Sequence, residues 1–283
     1  MILYEQNNEV VLIRQTDHAL LSGFFAREWG NEEFSHPEPF KSFRLAAAEH
    51  DNGWTEWEAQ PRVDRATFLP YTFMSIPTEQ HIALYQRGLD RLVKVDRYAA
   101  LLVSLHCMDL YDKTRATMPG FSAKYVRSSE TPLVHEFVQR LRLQQLRLKM
   151  DLRAHPATKN FVEENLLRAN AQRLEALDRL SLYFCLPALE DSTIEGVPLN
   201  DRGEEVDWQL AREGPAVVTL APYPFRREPL SVSILARRIL RRHYTDDADL
   251  QKTLAHASYE PIQCTLRRGT SAIQSLLSGV EFN

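Results

Sequence analysis

Several things are scarce in this chain, and each scarcity removes a class of explanation. Its 283 residues include only three cysteines, Cys107, Cys185 and Cys264. They lie far apart and are odd in number, so neither a disulfide framework nor a CxxC zinc site follows from them. Long hydrophobic runs are missing too. The longest, 98–105, falls far short of the roughly 20 residues a membrane helix needs. The first ten residues lack the basic-then-apolar pattern of a secretory signal. Neither sign of charge dominates: 34 basic side chains stand against 38 acidic ones, a net charge of −4. That balance is poorly suited to non-specific nucleic-acid binding, which needs a broad basic surface. No Walker loop, GxGxxG, GxSxG or HExxH motif is present. These absences point to a reduced, cytoplasmic protein that uses no membrane and for which a nucleic-acid partner is not the expectation.

What is present suits one large domain with a substantial core. Hydrophobic residues make up 44% and charged residues 25%, the usual globular balance, and a chain this long can hold polar groups in its interior. Apolar residues recur at helical spacing in Leu20, Leu21, Phe24 and Phe25, so a first helix runs from Thr16 or Asp17 to about Trp29. A second, from about Lys41, ends at His50-Asp51, with Gly53 just beyond as a terminator. A third opens at Thr78. A fourth, about Asp96 to Tyr111, is apolar nearly all round and so should be buried. Two long helices follow, about Thr131 to Arg153 and Thr158 to Leu186. The segments 9–14, 216–220, 230–235 and 262–267 read as strands. The expected fold is mainly α: a helical bundle with a small antiparallel sheet formed by the C-terminal part, which the N-terminal strand can join. Residues 1–283 would form a single domain, with a helical core over 14–186 and a C-terminal α+β extension over 187–283.

The sharpest chemical feature is His50-Asp51. Imidazole and carboxylate are both good ligands for a first-row divalent metal, and at a helix end adjacent side chains can converge on one ion. Other candidates lie on separate helices. His18 stands among leucines and phenylalanines. His106 sits within the most apolar helix, where an unpaired imidazole is costly; a hydrogen bond to Asp109 is the simplest alternative. Asp178 lies in another apolar run, where pairing with a neighbouring arginine is the simplest alternative. A shared ion would satisfy all of them together.

The order His18, His50-Asp51, His81, His106, Asp178 resembles the H…HD…H…H…D pattern of the HD superfamily of metal-dependent phosphohydrolases. The resemblance covers roughly residues 14–186. The stretches Gln15-Thr16-Asp17-His18-Ala19 and Ala47-Ala48-Glu49-His50-Asp51-Asn52-Gly53-Trp54 also resemble a bacterial domain family of unknown function. The HD resemblance implies an HD-like helical domain with one or two divalent ions (Mn, Fe, Ni, Co, Zn or Mg). His18, His50, Asp51 and Asp178 would hold the first, and His81 and His106 would help bind a second. Asp109 is a reserve for the last ligand, since the interval from His106 to Asp178 is long. His81, His106 and Asp51 are then the catalytic candidates, and the substrate would be a small anionic molecule, most simply a phosphoester. One departure is that Trp54, Thr55 and Glu56 follow Gly53 where many such hydrolases carry a lysine near the substrate phosphate. Lys113 and Arg115 are candidates to replace it, and Trp54 could wall a substrate pocket. A degenerate ligand-binding or interaction module and an HD-type di-iron oxygenase remain as alternative readings. The basic runs Arg140–Arg153 and Arg237–Arg242 are of the kind that usually form solvated faces. The C-terminal strands can cap the pocket or pair with a second copy in a homodimer.

Overall fold

The computed structural model of the protein describes residues 1–111, 131–189 and 191–270. The chain begins with a tight hairpin. Strand β1 (Ile2–Gln6) pairs with β2 (Glu9–Ile13), and the two loop residues, Asn7 and Asn8, both have positive φ, 52° and 61°. Asparagine tolerates that region, and a two-residue turn of this kind matches the natural twist of the strands it joins. The helices follow: α1 (Gln15–Glu28), α2 (Phe40–Glu49), α3 (Thr55–Ala59), α4 (Thr78–Val95), α5 (Arg97–Asp109), α6 (Pro132–Ala154) and α7 (Glu164–Cys185). A two-stranded ribbon, β3 (Val63–Asp64) with β4 (Leu69–Pro70), lies between α3 and α4. After α7 come β5 (Ser192–Pro198), β6 (Glu205–Arg212), β7 (Val217–Ala221), β8 (Leu230–Leu240), α8 (Asp247–His256) and β9 (Glu260–Arg268).

These strands overturn the expectation of a mainly α bundle with only a small antiparallel sheet. Seven of them form one curled sheet in the order β1-β2-β8-β9-β7-β6-β5, and about half of the chain is helical. Nor is the sheet purely antiparallel, because β7 and β9 run parallel. Three of its strands carry little signal in the sequence, for physical reasons. Strand β1 is short and ends in polar residues. Strands β5 and β6 lie in a segment whose charged residues mask the alternation. In β6 only Trp208 and Leu210 are buried, between exposed or half-exposed neighbours. Such a one-sided strand is a period-2 signal diluted by its outer face.

The helical expectations fare better. Helix α5 is buried on nearly every side, packed against α2, α4, α6 and α7. The Asp96 carboxylate caps it by accepting from the Tyr98 and Ala99 amides, both at 2.9 Å, which satisfies two donors that a helix start leaves open. One hydrophobic cluster runs from the helices into the sheet. Phe25 lies 5.5 Å from Phe225 and 5.7 Å from Phe184, and Trp29 lies 5.5 Å from Trp208, ring to ring. Among the described residues no helix is long and apolar enough to cross a membrane.

Two glycines set the spacing that the site requires. A Cβ on Gly23 would fall 2.6 Å from the Ala48 Cβ, so α1 can lie against α2 only because Gly23 has none. Gly53 was expected as a helix terminator. Its role is instead close approach: a Cβ there would fall 2.0 Å from the Leu84 carbonyl oxygen and 3.2 Å from the Gly88 amide. Helix α4 therefore rests directly on the turn after His50-Asp51. A methyl group driven into backbone must displace it. Gly53→Ala should cost about 3 kcal/mol, seen as a fall of about 6–12 °C in the thermal unfolding midpoint; an unchanged midpoint would mean that α4 does not press on this turn.

Candidate metal centre

Three helices and one turn bring four side chains close together. His18 comes from the first turn of α1, His50 from the end of α2, Asp51 from the turn that follows, and Asp178 from the middle of α7. His18 Nε2 lies 3.2 Å from His50 Nε2, 3.2 Å from Asp178 Oδ1 and 3.3 Å from Asp51 Oδ2. His50 Nε2 lies 3.2 Å from Asp178 Oδ1 and 3.8 Å from Asp51 Oδ2. All four residues are buried, Asp178 the most exposed of them at 7%. Buried charge that is not compensated costs several kcal/mol per ion, so the arrangement needs a reason.

The spacing supplies one. A charge-assisted hydrogen bond closes to about 2.7–2.9 Å, yet most of these inner contacts are 3.2–3.3 Å. Donors about 2.1 Å from one ion sit about 3.0 Å apart along an octahedral edge and about 3.4 Å apart along a tetrahedral one. The outer contacts behave differently. His50 Nδ1 lies 2.9 Å from the Ala47 carbonyl oxygen, so that nitrogen carries the proton and Nε2 presents its lone pair inward. His18 Nδ1 lies 2.6 Å from Ser181 Oγ. Ser181 already donates to the Asp178 carbonyl at 2.8 Å, so it accepts from His18, whose Nε2 lone pair also faces inward. Asp51 accepts from the Tyr85 hydroxyl at 2.7 Å and from Gln15 Nε2 at 3.1 Å. Outer hydrogen bonds of this kind fix the tautomer and aim of metal-binding side chains. Two imidazole lone pairs and two carboxylates facing one centre fit a divalent ion with mixed nitrogen and oxygen ligands.

Electrostatics in the metal-free centre agree with this picture. Burial works against charge on His50, but Asp51 and Asp178 outweigh it and raise its pKa. Burial likewise opposes ionisation of Asp51, yet His50 and His18 hold its carboxyl well below the usual carboxylate range. Asp178 is lowered in the same way by His50, His106 and His18. Burial and the neighbouring Asp51 raise the Tyr85 hydroxyl, which therefore stays a hydrogen-bond donor. For His106, burial is outweighed first by Glu175 and then by Asp178, and its pKa rises to about 9.

A cavity of about 360 Å³ opens onto the centre. His18, Asp51, His106 and Asp178 line one part of it, while Phe73, Ile76 and Leu182 are among its apolar walls. His81 reaches the cavity from α4, with Nδ1 against the Tyr111 hydroxyl. It supplies no atom to the described ligand groups. His106 does not pair with Asp109; its Nδ1 lies 3.3 Å from Glu175 Oε2. Asp178 does not pair with Arg179, which bonds Glu175 instead, and Asp109, the reserve, joins neither group. Trp54 packs behind His81, ring centroids 5.7 Å apart, in a small cluster with Ile76 and Leu84, and is not among the residues lining the cavity. Lys113 and Arg115 lie outside the described residues. Four contributors were not anticipated: Gln15, Tyr85, Glu175 and Ser181. Only Glu175 and Ser181 left a trace, each one turn of helix from Asp178 and therefore on its face.

A family model described as "Protein of unknown function (DUF3891)" matches residues 1–241, and the chain belongs to that family. No curated protein and no solved structure matches it. Nothing in these comparisons places the chain in the HD superfamily.

Metal-free and metal-loaded protein should respond oppositely to pH. His50 and His106 have raised pKa values in the fold. The stability they contribute is full below their ordinary value of 6.5 and is lost as pH rises towards about 9, the His106 value. An ion, by contrast, must displace those protons, so its affinity grows with pH. The thermal midpoint of metal-free protein should therefore fall between pH 6 and pH 8, while the increase produced by added Mn²⁺ should grow over the same interval. An ion-induced increase that shrank with pH would show that the imidazoles are not ligands.

Proposed function

We propose that this member of a family of unknown function is a metal-dependent hydrolase acting on a small phosphoester. The observation that carries the reading is the convergence of His18, His50 and Asp178, whose ligand atoms lie within 4.8 Å of one another, with Asp51 Oδ2 beside them at 3.3 Å from His18 Nε2 and 3.8 Å from His50 Nε2. The cavity beside them supports it, being at the small end of the range that holds metabolite-sized ligands. The order of these residues along the chain, which resembles that of HD phosphohydrolases, supports the phosphoester in particular.

A divalent ion in this centre would supply Lewis acidity, lowering the pKa of a water and polarising a phosphoryl oxygen. The protein's own residues do the rest. Asp51 and Asp178 bring two negative charges that neutralise such an ion and hold it in a buried place. The Ala47 carbonyl and the Ser181 hydroxyl keep the two imidazoles in the tautomer that offers Nε2. Gln15 donates to Asp51 through Nε2, and its Oε1 is buried without a partner on the cavity wall. That oxygen is placed to accept a hydrogen bond from the attacking water or from a substrate hydroxyl. His81 lines the same cavity and is the group placed to give a proton to the leaving oxygen. The apolar walls exclude bulk water and so strengthen each of these interactions.

Elemental analysis of purified protein beside His50→Ala and Asp178→Ala tests the reading, together with hydrolysis of p-nitrophenyl phosphate and its diester under the bound metal. Near-stoichiometric divalent metal, lost in both variants along with hydrolysis, is expected. Ser181→Ala removes the hydroxyl that orients His18, together with its bonds to the Asp178 carbonyl and from Ser22, and should weaken metal binding by about 10–100-fold in a protein that circular dichroism shows to be folded. Protein that takes up no ion after reconstitution would overturn the proposal and leave a ligand-binding module as the better account.

A further inference from the structure

The structure points to a second ion position beyond Asp178, and we propose that His106 and Glu175 hold it, with Asp178 shared between the two ions. This inference rests on the metal-centre reading above and extends it to residues that reading does not use. His106, Glu175 and Asp178 each offer a ligand atom, all within 4.8 Å of one another. The same is true of His18, His50 and Asp178. Asp178 is the one member common to both groups, and a carboxylate has two oxygens to divide between neighbours. Its Oδ1 already serves His18 and His50. Shared carboxylates of this kind belong to ion pairs about 3.5–4 Å apart.

Glu175 is placed for this by the helix that carries Asp178. The two are three residues apart, so they rise from one face of α7. One oxygen of Glu175 is fixed: Oε1 accepts from Arg179 Nε at 3.1 Å. The other, Oε2, faces His106 Nδ1 at 3.3 Å. That contact has the same length as the contacts of the first centre and is longer than a direct imidazolium–carboxylate bond, about 2.7–2.9 Å. The His106 ring stands 5.1 Å from the His50 ring, centroid to centroid, so the two groups are adjacent. The assignment differs from the one that the ligand order suggested. His81 is not among the second set; Glu175 takes its place, and His81 stays on the cavity wall for the substrate.

Charge gives the second position its purpose. With one divalent ion, Asp51 and Asp178 cancel its charge. Glu175 is balanced by Arg179, and no lysine or arginine is among the described residues lining the cavity. A second divalent ion would leave the pair positive, which is what binding a phosphoester anion requires.

The test is a titration of Mn²⁺ into the metal-free full-length protein, followed by EPR. The spectrum counts free ion and, at low temperature, reads magnetic coupling between neighbouring bound ions. Wild type should bind two Mn²⁺ per chain and show a coupled signal. Glu175→Gln, nearly the same shape, should bind one and show an uncoupled signal, and His106→Gln should do the same. If wild type saturates at one ion, or Glu175→Gln still binds a coupled pair, the second site is wrong while the first stands. If no ion binds, both fail. Circular dichroism on each variant establishes that it is folded, and if one variant is not, the wild-type count and the other variant decide.

Discussion

Two imidazole nitrogens facing each other at 3.2 Å across the carboxylate of Asp178 form the constraint on which the rest of this structure turns. Both nitrogens are acceptors once their partners on the outer side are counted, and acceptors repel at that distance unless something positive lies between them. A proton can serve in the metal-free protein, where Asp51 and Asp178 overcome burial and raise the pKa of His50. A divalent ion serves better, because it satisfies both lone pairs and both carboxylates at once. The outer hydrogen bonds at Ala47, Ser181, Tyr85 and Gln15 have the ordinary lengths of such bonds. The inner contacts, at 3.2–3.8 Å, are longer, as the proposed ion position requires.

The helices exist at these positions because local sequence places them there, but their convergence depends on small residues. Gly23 against Ala48 brings α1 and α2 together, so His18 meets His50. Gly53 against Leu84 and Gly88 brings α4 onto the turn after Asp51, so Tyr85 reaches that carboxylate and His81 reaches the cavity. Neither contact shows in hydrophobic periodicity. Gly53 reads naturally as a helix stop, and only the neighbour it touches reveals its role.

The candidate ligands that were legible in the sequence share one property: each is a polar residue where an apolar one was expected. His18, His106 and Asp178 interrupt apolar helical faces, and His50-Asp51 ends a run of alanines. The residues that escaped, Gln15, Tyr85, Glu175 and Ser181, stand at positions where polarity needs no explanation or where a tyrosine passes as core. Trp54 errs in the other direction, since it is near the site in sequence but packs behind His81. For the fold, the same rule decided matters. Helix α5 was apolar enough to be found, and the segments that became β7, β8 and β9 were β-rich enough. Strands β5 and β6 were hidden by their own charged outer faces.

Among the described residues the sheet supplies no side chain to the candidate centre, yet the site depends on it. His18 and Asp178 lie on α1 and α7; α1 packs through Phe25 on Phe184 of α7 and on Phe225, Trp29 at its end packs on Trp208 of β6, and α7 packs on β5. A coordination site tolerates errors of only about half an ångström. Helices packed on one another alone could slide by more than that, whereas a face of interlocking aromatic rings resists it, since cores are close-packed and shift only at a cost. The curled sheet therefore acts as the base plate that holds α1 and α7 in register. It also gives the seven strands a part in a candidate site whose side chains come from helices and one turn.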